Sequence, residues 1–173
     1  ILRIVSVNKP KYILLENVKG LTHKKFTSTF EALKSTLKDL GYGDLSYAVL
    51  NSKDYGIPQN RERLWMFARL GGLPEGFDIV PPPIKLSKRF GDFLDQNPPK
   101  ELYLSDAQIA HLKEKHHIDS FVVDEPLCFD VYNKKIKRDA VCITITQPEH
   151  NSLRVIEVPK SDGKEIVRKM SVD

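Results

Sequence analysis

Glu16 and the trio Gln59, Arg61 and Arg63 are the residues whose types could do chemistry together. The trio stands at alternate positions, between a turn marked by Gly56 and Pro58 and an apolar run at 64–68. In an extended backbone alternate side chains share a face, so the three project the same way. Two guanidiniums at the mouth of a buried strand are costly to desolvate unless an anion or a carbonyl-rich ligand meets them. Glu16 closes another apolar run, 12–15, where partial burial would favour the protonated acid and let it donate or share a proton. Each residue also has an ordinary reading. A strand-end glutamate can cap the next helix or pair with a lysine, and a basic pair can be a solvated rim paired with Glu62.

The elements that would position these groups follow from apolar spacing. Residues 1–5 read as the end of a helix or a short apolar lead-in, closed by Asn8, Lys9 and Pro10. The uninterrupted run 12–15 predicts a strand covered on both faces. Phe26, Phe30, Leu33, Leu37 and Leu40 recur at helical spacing, which predicts an amphipathic helix over 24–40, stopped by Gly41. Further strands are predicted at 45–50 and 64–68. Strand, helix, strand makes a right-handed crossover with its two strands parallel, and the next strand most simply returns antiparallel. Arg61 and Arg63 then reach the edge where the first strand ends in Glu16. Ligands of open α/β sheets bind at that carboxyl edge.

The stiff connector Pro81-Pro82-Pro83 marks a boundary, because such a run cannot join a central strand. Beyond it the pattern is weaker. A helical turn is predicted near 90–94 and a helix over 106–115, with Ser105 and Gln108 in the capping-box relation. Short strand-like runs stand at 121–123, 141–146 and 153–158, and Lys134, Lys135, Lys137 and Arg138 cluster in a predicted polar loop.

The 173 residues, 40% hydrophobic and 29% charged, suffice for one domain, or for a domain and a smaller neighbour. A net charge of +4 is compatible with a nucleic-acid partner without demanding one. Cys128 and Cys142 show no metal-type spacing and make no disulfide framework, so no metal and a reducing cytoplasm are expected. No run approaches the ~18 apolar residues of a membrane span.

Three segments together resemble the DNA cytosine-5 methyltransferases. Their Glu-Asn-Val signature after an apolar strand is matched by Glu16-Asn17-Val18, followed by Gly20-Leu21. Their Tyr-Gly-x-Pro and Gln-x-Arg-x-Arg signatures are matched by Tyr55-Gly56-Ile57-Pro58-Gln59-Asn60-Arg61-Glu62-Arg63. Their Arg-Lys-Leu-Thr-Pro segment is similar to Arg168-Lys169-Met170-Ser171-Val172. The first two matches are long and correctly spaced around a helix and a strand.

The resemblance implies a fold, a reaction and a division of labour. The fold is α/β: the C-terminal part of a Rossmann-like, S-adenosylmethionine-dependent methyltransferase sheet over 1–80, then a small mixed target-recognition domain over 81–166. Residues 167–173 would begin the return to the catalytic domain. In such enzymes a cysteine thiolate attacks C6 of a flipped cytosine and C5 takes the methyl group. Glu16 is then the partner of ring N3 and Arg63 of O2, with Arg61 in support or on a neighbouring phosphate. Asn17 would brace the loop. Gln59 and Thr144 would touch DNA, Thr144 lying in Cys142-Ile143-Thr144-Ile145-Thr146, which looks like the family's segment near the groove. Lys137 and Arg138 suit phosphate contacts.

The family's Gly-rich cofactor loop and its Pro-Cys nucleophile have no counterpart in this sequence, and Cys128 and Cys142 follow Leu127 and Val141. The chain is therefore expected to be the middle and recognition portions of a bacterial or phage enzyme, inactive alone and binding cofactor weakly or not at all. Duplex DNA is the expected partner and a monomer the expected state. Two rival readings remain: a relative that methylates a transfer RNA cytosine, and a non-catalytic DNA-binding module of the same fold.

Overall fold

The computed structural model describes residues 1–145 and 153–171, so Thr146 and Val172 of the segments named above lie outside the described residues. The chain forms two units. The first holds Ile1–Asp54 and Glu62–Ile84, and the second holds Tyr55–Arg61 and Lys85–Asp173.

The first unit begins with α1 (Leu2–Asn8), β1 (Tyr12–Val18), α2 (Thr27–Leu37) and β2 (Ser46–Asn51). The chain then leaves for β3 (Gln59–Asn60), which belongs to the second unit, and returns as β4 (Glu62–Arg69). The sheet order is β1-β4-β2, with β4 antiparallel to both neighbours. β1 and β2 are therefore parallel, as the strand–helix–strand pattern predicts, but β4 lies between them.

Alternation in β4 shows which face is covered. Leu64, Met66 and Ala68 are buried, packed with Ile13 of β1, Phe30 and Leu37 of α2 and Val5 of α1 in two adjoining clusters. Complete burial of a side chain such as Leu64 contributes about 2 kcal/mol. The opposite face differs from expectation. Tyr12 is 54% and Leu14 60% exposed, so the run 12–15 is covered on one face only. An uninterrupted apolar run does not by itself say what lies against each face, and here helices lie against one.

α2 starts three residues later than its apolar stripe suggests, because Lys24–Phe26 forms a separate 3₁₀ turn. Gly41, with φ 92°, ends the helical path within the wider turn Lys38–Tyr42. That conformation suits glycine and little else. The helix-end carbonyls are met from outside: Lys9 Nζ donates to Leu40 O at 2.8 Å and the Gly71 N–H to Gly41 O at 2.8 Å.

The second unit contains α3 (Asp106–His116), β5 (Leu127–Asp130), β6 (Lys135–Lys137), β7 (Cys142–Ile143), β8 (Leu153–Glu157) and β9 (Ile166–Arg168). Its main sheet has order β6-β5-β8-β9 with antiparallel pairs throughout. The predicted capping box opens α3, the Gln108 N–H meeting Ser105 Oγ at 3.4 Å and the Ser105 N–H meeting Gln108 Oε1 at 2.9 Å. Phe121, Phe129, Ile156 and Val167 are fully or almost fully buried at its core.

Several expectations for this half are corrected. Residues 121–123 form no strand: Phe121 and Val123 anchor an irregular segment by burial while Val122 is exposed. The strand beside them is β5, whose four buried residues lack the alternation that marks a half-covered strand. Lys135 and Lys137 lie on the hairpin strand β6, not in a loop, and the turn before it uses Lys134 at φ 56°. Arg168 of β9 is fully buried, its guanidinium ion-paired with Glu157 of β8 and donating to Lys169 O at 3.2 Å and Asp95 O at 3.4 Å.

Candidate active site

The site is built by one strand pairing. β1 and β4 run in a register that sets Glu16 opposite Trp65 and Val18 opposite Arg63. Residues opposite each other in an antiparallel pair share a face, and so do residues two apart in one strand. Glu16 and Arg63 are therefore diagonal neighbours on one face of the sheet. Their side chains meet, Arg63 Nε lying 2.9 Å from Glu16 Oε1. Arg63 Nη1 donates to Glu62 O at 2.8 Å, which fixes the plane of the guanidinium. Two residues distant in sequence are thus held as one acid–guanidinium unit.

The surroundings of Glu16 differ from the sequence reading. The strand continues two residues past it, so Glu16 lies within β1 instead of ending it. Its side chain is 44% exposed, against 21% for Arg63. The reason is the uncovered face of β1, where Val18 is also 56% exposed. Asn17 points the other way, and its Oδ1 accepts the Val18 N–H at 2.8 Å.

The alternation of Gln59, Arg61 and Arg63 is interrupted. Extended pairing stops at Asn60 and resumes at Glu62, leaving Arg61 between two strands. Gln59 and Arg61 belong to the second unit and Arg63, which meets Glu16, to the first. Gln59 instead pairs in parallel with Cys142, and Asn60 with Ile143. The Cys142 N–H donates to Pro58 O at 2.8 Å and Thr144 Oγ1 to Asn60 O at 2.9 Å. Gln59 and Thr144 thus come from neighbouring segments of the second unit. Lys137 and Arg138 lie on and just after β6, and the Lys137 ammonium is 3.9 Å from Asp139.

The two thiols are core groups. Cys128 and Cys142 are buried, with Cys142 Sγ donating to Cys128 Sγ at 4.0 Å. That contact lowers the pKa of Cys128 despite its burial, and together with burial it raises the pKa of Cys142 strongly. Both are shut off from solvent, Cys128 at 0% and Cys142 at 3% exposure. Among the described residues no group of three or more His, Cys, Asp or Glu is arranged to hold a metal ion. No described helix is long and apolar enough to cross a membrane.

Two features escaped the sequence reading. Lys19 forms a bidentate contact with Glu62, at 3.0 and 2.9 Å, beside the Glu16–Arg63 pair. Tyr132, at the turn of the β5–β6 hairpin, is 83% exposed next to Lys134 and Lys135. An i to i+2 charge pattern could have flagged neither, since the first pair is distant in sequence and the second is an exposed ring.

Comparison with known proteins adds to this geometry. The chain is 31% identical over 172 residues to the type II methyltransferase M.HaeII of Haemophilus aegyptius, covering 95% of this chain and 51% of that protein. It is 34% identical over 108 residues to the type II methyltransferase M2.ScrFI of Lactococcus lactis subsp. cremoris, covering 62% of this chain and 29% of that protein. The chain thus spans at most about half the length of these relatives. The solved Entamoeba histolytica methyltransferase EhMeth shares the fold, with a TM-score of 0.54 at 23% identity over 94% of this chain and 48% of that one. The family model for C-5 cytosine-specific DNA methylase matches residues 1–162, and the chain belongs to that family.

Proposed function

We propose that this chain supplies the acid and guanidinium side of the base pocket, and the target-recognition domain, of a DNA cytosine-5 methyltransferase acting on duplex DNA. The observation that carries this reading is the Glu16–Arg63 pair at 2.9 Å, formed where the Glu-Asn-Val and Gln-x-Arg-x-Arg segments meet in one sheet.

The chemistry follows from where charge develops. Addition of a nucleophile at C6 of cytosine moves electron density toward N3 and O2 of the ring. A carboxylic acid at N3 can share its proton there, and a guanidinium at O2 stabilises the growing negative charge without titrating. Glu16 takes the first role and Arg63 the second. A base entering between them replaces the Glu16–Arg63 contact with ring contacts, while the Nη1 bond to Glu62 O keeps the fork oriented. Arg61, one strand break away, serves the same pocket or an adjacent phosphate, and Gln59, Thr144, Lys137 and Arg138 contact the duplex.

S-adenosylmethionine, the methyl donor of this family, is held there by a Gly-rich loop, and the β1-to-α2 connection carries one glycine, Gly20. No Pro-Cys dipeptide stands in this sequence, and Cys128 and Cys142 are both buried. The cofactor loop and the nucleophilic cysteine are therefore assigned outside these residues, and the 173 residues alone transfer no methyl group. Radiolabel transfer to DNA by this purified chain would overturn that assignment.

For the site itself, Glu16→Gln and Arg63→Ala in the full-length protein should each slow methyl transfer by about 10²-fold or more, the usual effect of losing one charge-stabilising donor. Duplex affinity should change far less. Unchanged turnover in either variant removes that residue from the mechanism.

A further inference from the structure

We propose that Lys19 and Glu62 are a positioning pair for the Glu16–Arg63 site. This rests on the base-pocket reading above. The backbone register of β1 on β4 ends at Val18 opposite Arg63. The next rung would set Lys19 opposite Glu62, but Lys19 has already left the strand as the first residue of the 3₁₀ turn Lys19–Thr22. The side chains bridge that missing rung: the Lys19 ammonium reaches both carboxylate oxygens of Glu62, at 3.0 and 2.9 Å.

The arrangement has a consequence for direction. Successive residues of a strand point to opposite faces, so Glu62 and Arg63 grip the end of β1 from two sides. Arg63 holds Glu16 on one face and Glu62 holds Lys19 from the other. Glu62 also gives its backbone oxygen to Arg63 Nη1, so anchoring Glu62 anchors the guanidinium plane. With side chains 47% and 41% exposed, the Lys19–Glu62 contact is too well solvated to add much global stability. Its effect is geometric, and a shift of the order of 1 Å at a reacting centre can cost up to about 10²-fold in rate.

The test compares Glu62→Gln, Lys19→Met and the charge exchange Lys19→Glu with Glu62→Lys in the full-length protein. Expected is a roughly tenfold slower single-turnover methyl transfer in each single variant, duplex Kd within about twofold, an unchanged melting temperature, and recovery in the exchanged pair. Weaker DNA binding with a salt dependence reduced by about one phosphate contact would make Lys19 a phosphate ligand and overturn the proposal. So would wild-type transfer rates in both single variants. If transfer proves independent of Glu16 and Arg63, it is the base-pocket reading that falls. Amide exchange in this chain then decides for the pair by itself. Roughly threefold faster exchange of the Val18 amide, bonded to Asn17 Oδ1 at 2.8 Å, in Glu62→Gln supports the brace, and unchanged exchange overturns it.

Discussion

Replacing Arg168 by Met should unravel the β8–β9 edge of the second unit more than any surface change could. Arg168 is fully buried, so solvent screens its charge little. Its removal leaves Glu157, at 24% side-chain exposure, without its cation and takes donors from Lys169 O and Asp95 O. Breaking a buried pair by losing one partner costs about 3–5 kcal/mol, because the remaining charge is stranded. Taking about 4 kcal/mol, and tenfold for each ~1.4 kcal/mol, protection of the β9 amides against hydrogen exchange should fall about a thousandfold. Removing both charges, Arg168→Met with Glu157→Gln, should restore most of it, since no stranded carboxylate remains. Native-state exchange reads this locally, however many transitions the whole chain shows. A single variant protected within about tenfold of wild type, or a double variant no better than the single, would refute the reasoning.

Two further predictions concern the second unit. His116 is 8% exposed, stacks edge-on to Phe129 with ring centroids 5.7 Å apart, and has neither ring nitrogen hydrogen-bonded among the described residues. Burial first, then Lys115 and Lys134, lower its pKa from the ordinary histidine value. The unfolded chain therefore binds this proton at a higher pH than the folded one. The stability it confers is complete above about pH 6.5 and is lost as pH falls, by at most about 1.4 kcal/mol per unit. Urea midpoints between pH 7.5 and 5 should decline more steeply in wild type than in His116→Leu, and parallel curves would count against it. Separately, Lys137→Ala and Arg138→Ala in the full-length protein should weaken duplex binding uniformly across sequences and flatten the salt slope by about one each. A slope left unchanged would remove that residue from the phosphate contacts.

The meeting of Glu16 and Arg63 was legible in the sequence because the elements that bring them together have local signatures. The apolar runs around 12–15 and 64–68, the helical stripe with Phe30 and Leu37, and the return of the last strand fix where Glu16 and Arg63 must meet. The exposure of Glu16 was not legible, since Tyr12 and Leu14 look like core residues until the uncovered face of β1 is seen. Nor was the strand break at Arg61, which depends on Gln59 and Asn60 pairing with Cys142 and Ile143 far along the chain. In the second unit β5 hides because all its residues are buried and none alternates, while Phe121 and Val123 alternate in burial without a ladder. Short strands held by distant neighbours leave little periodicity to read.

β4 is the last of its three strands along the chain and the middle one in space. While it is unplaced, β1 and β2 are separated by the width of a missing strand, about two spacings or roughly 9.5 Å, and share no backbone hydrogen bonds. The sheet therefore cannot grow outward from its N-terminal strand as the polypeptide emerges. Neither ladder can form until residues 62–69 arrive, and Glu16 acquires Arg63 only with the β1–β4 ladder. A nascent or truncated chain stopping short of Glu62 holds the acid without its guanidinium, so the Glu16–Arg63 pair cannot precede the arrival of the middle strand.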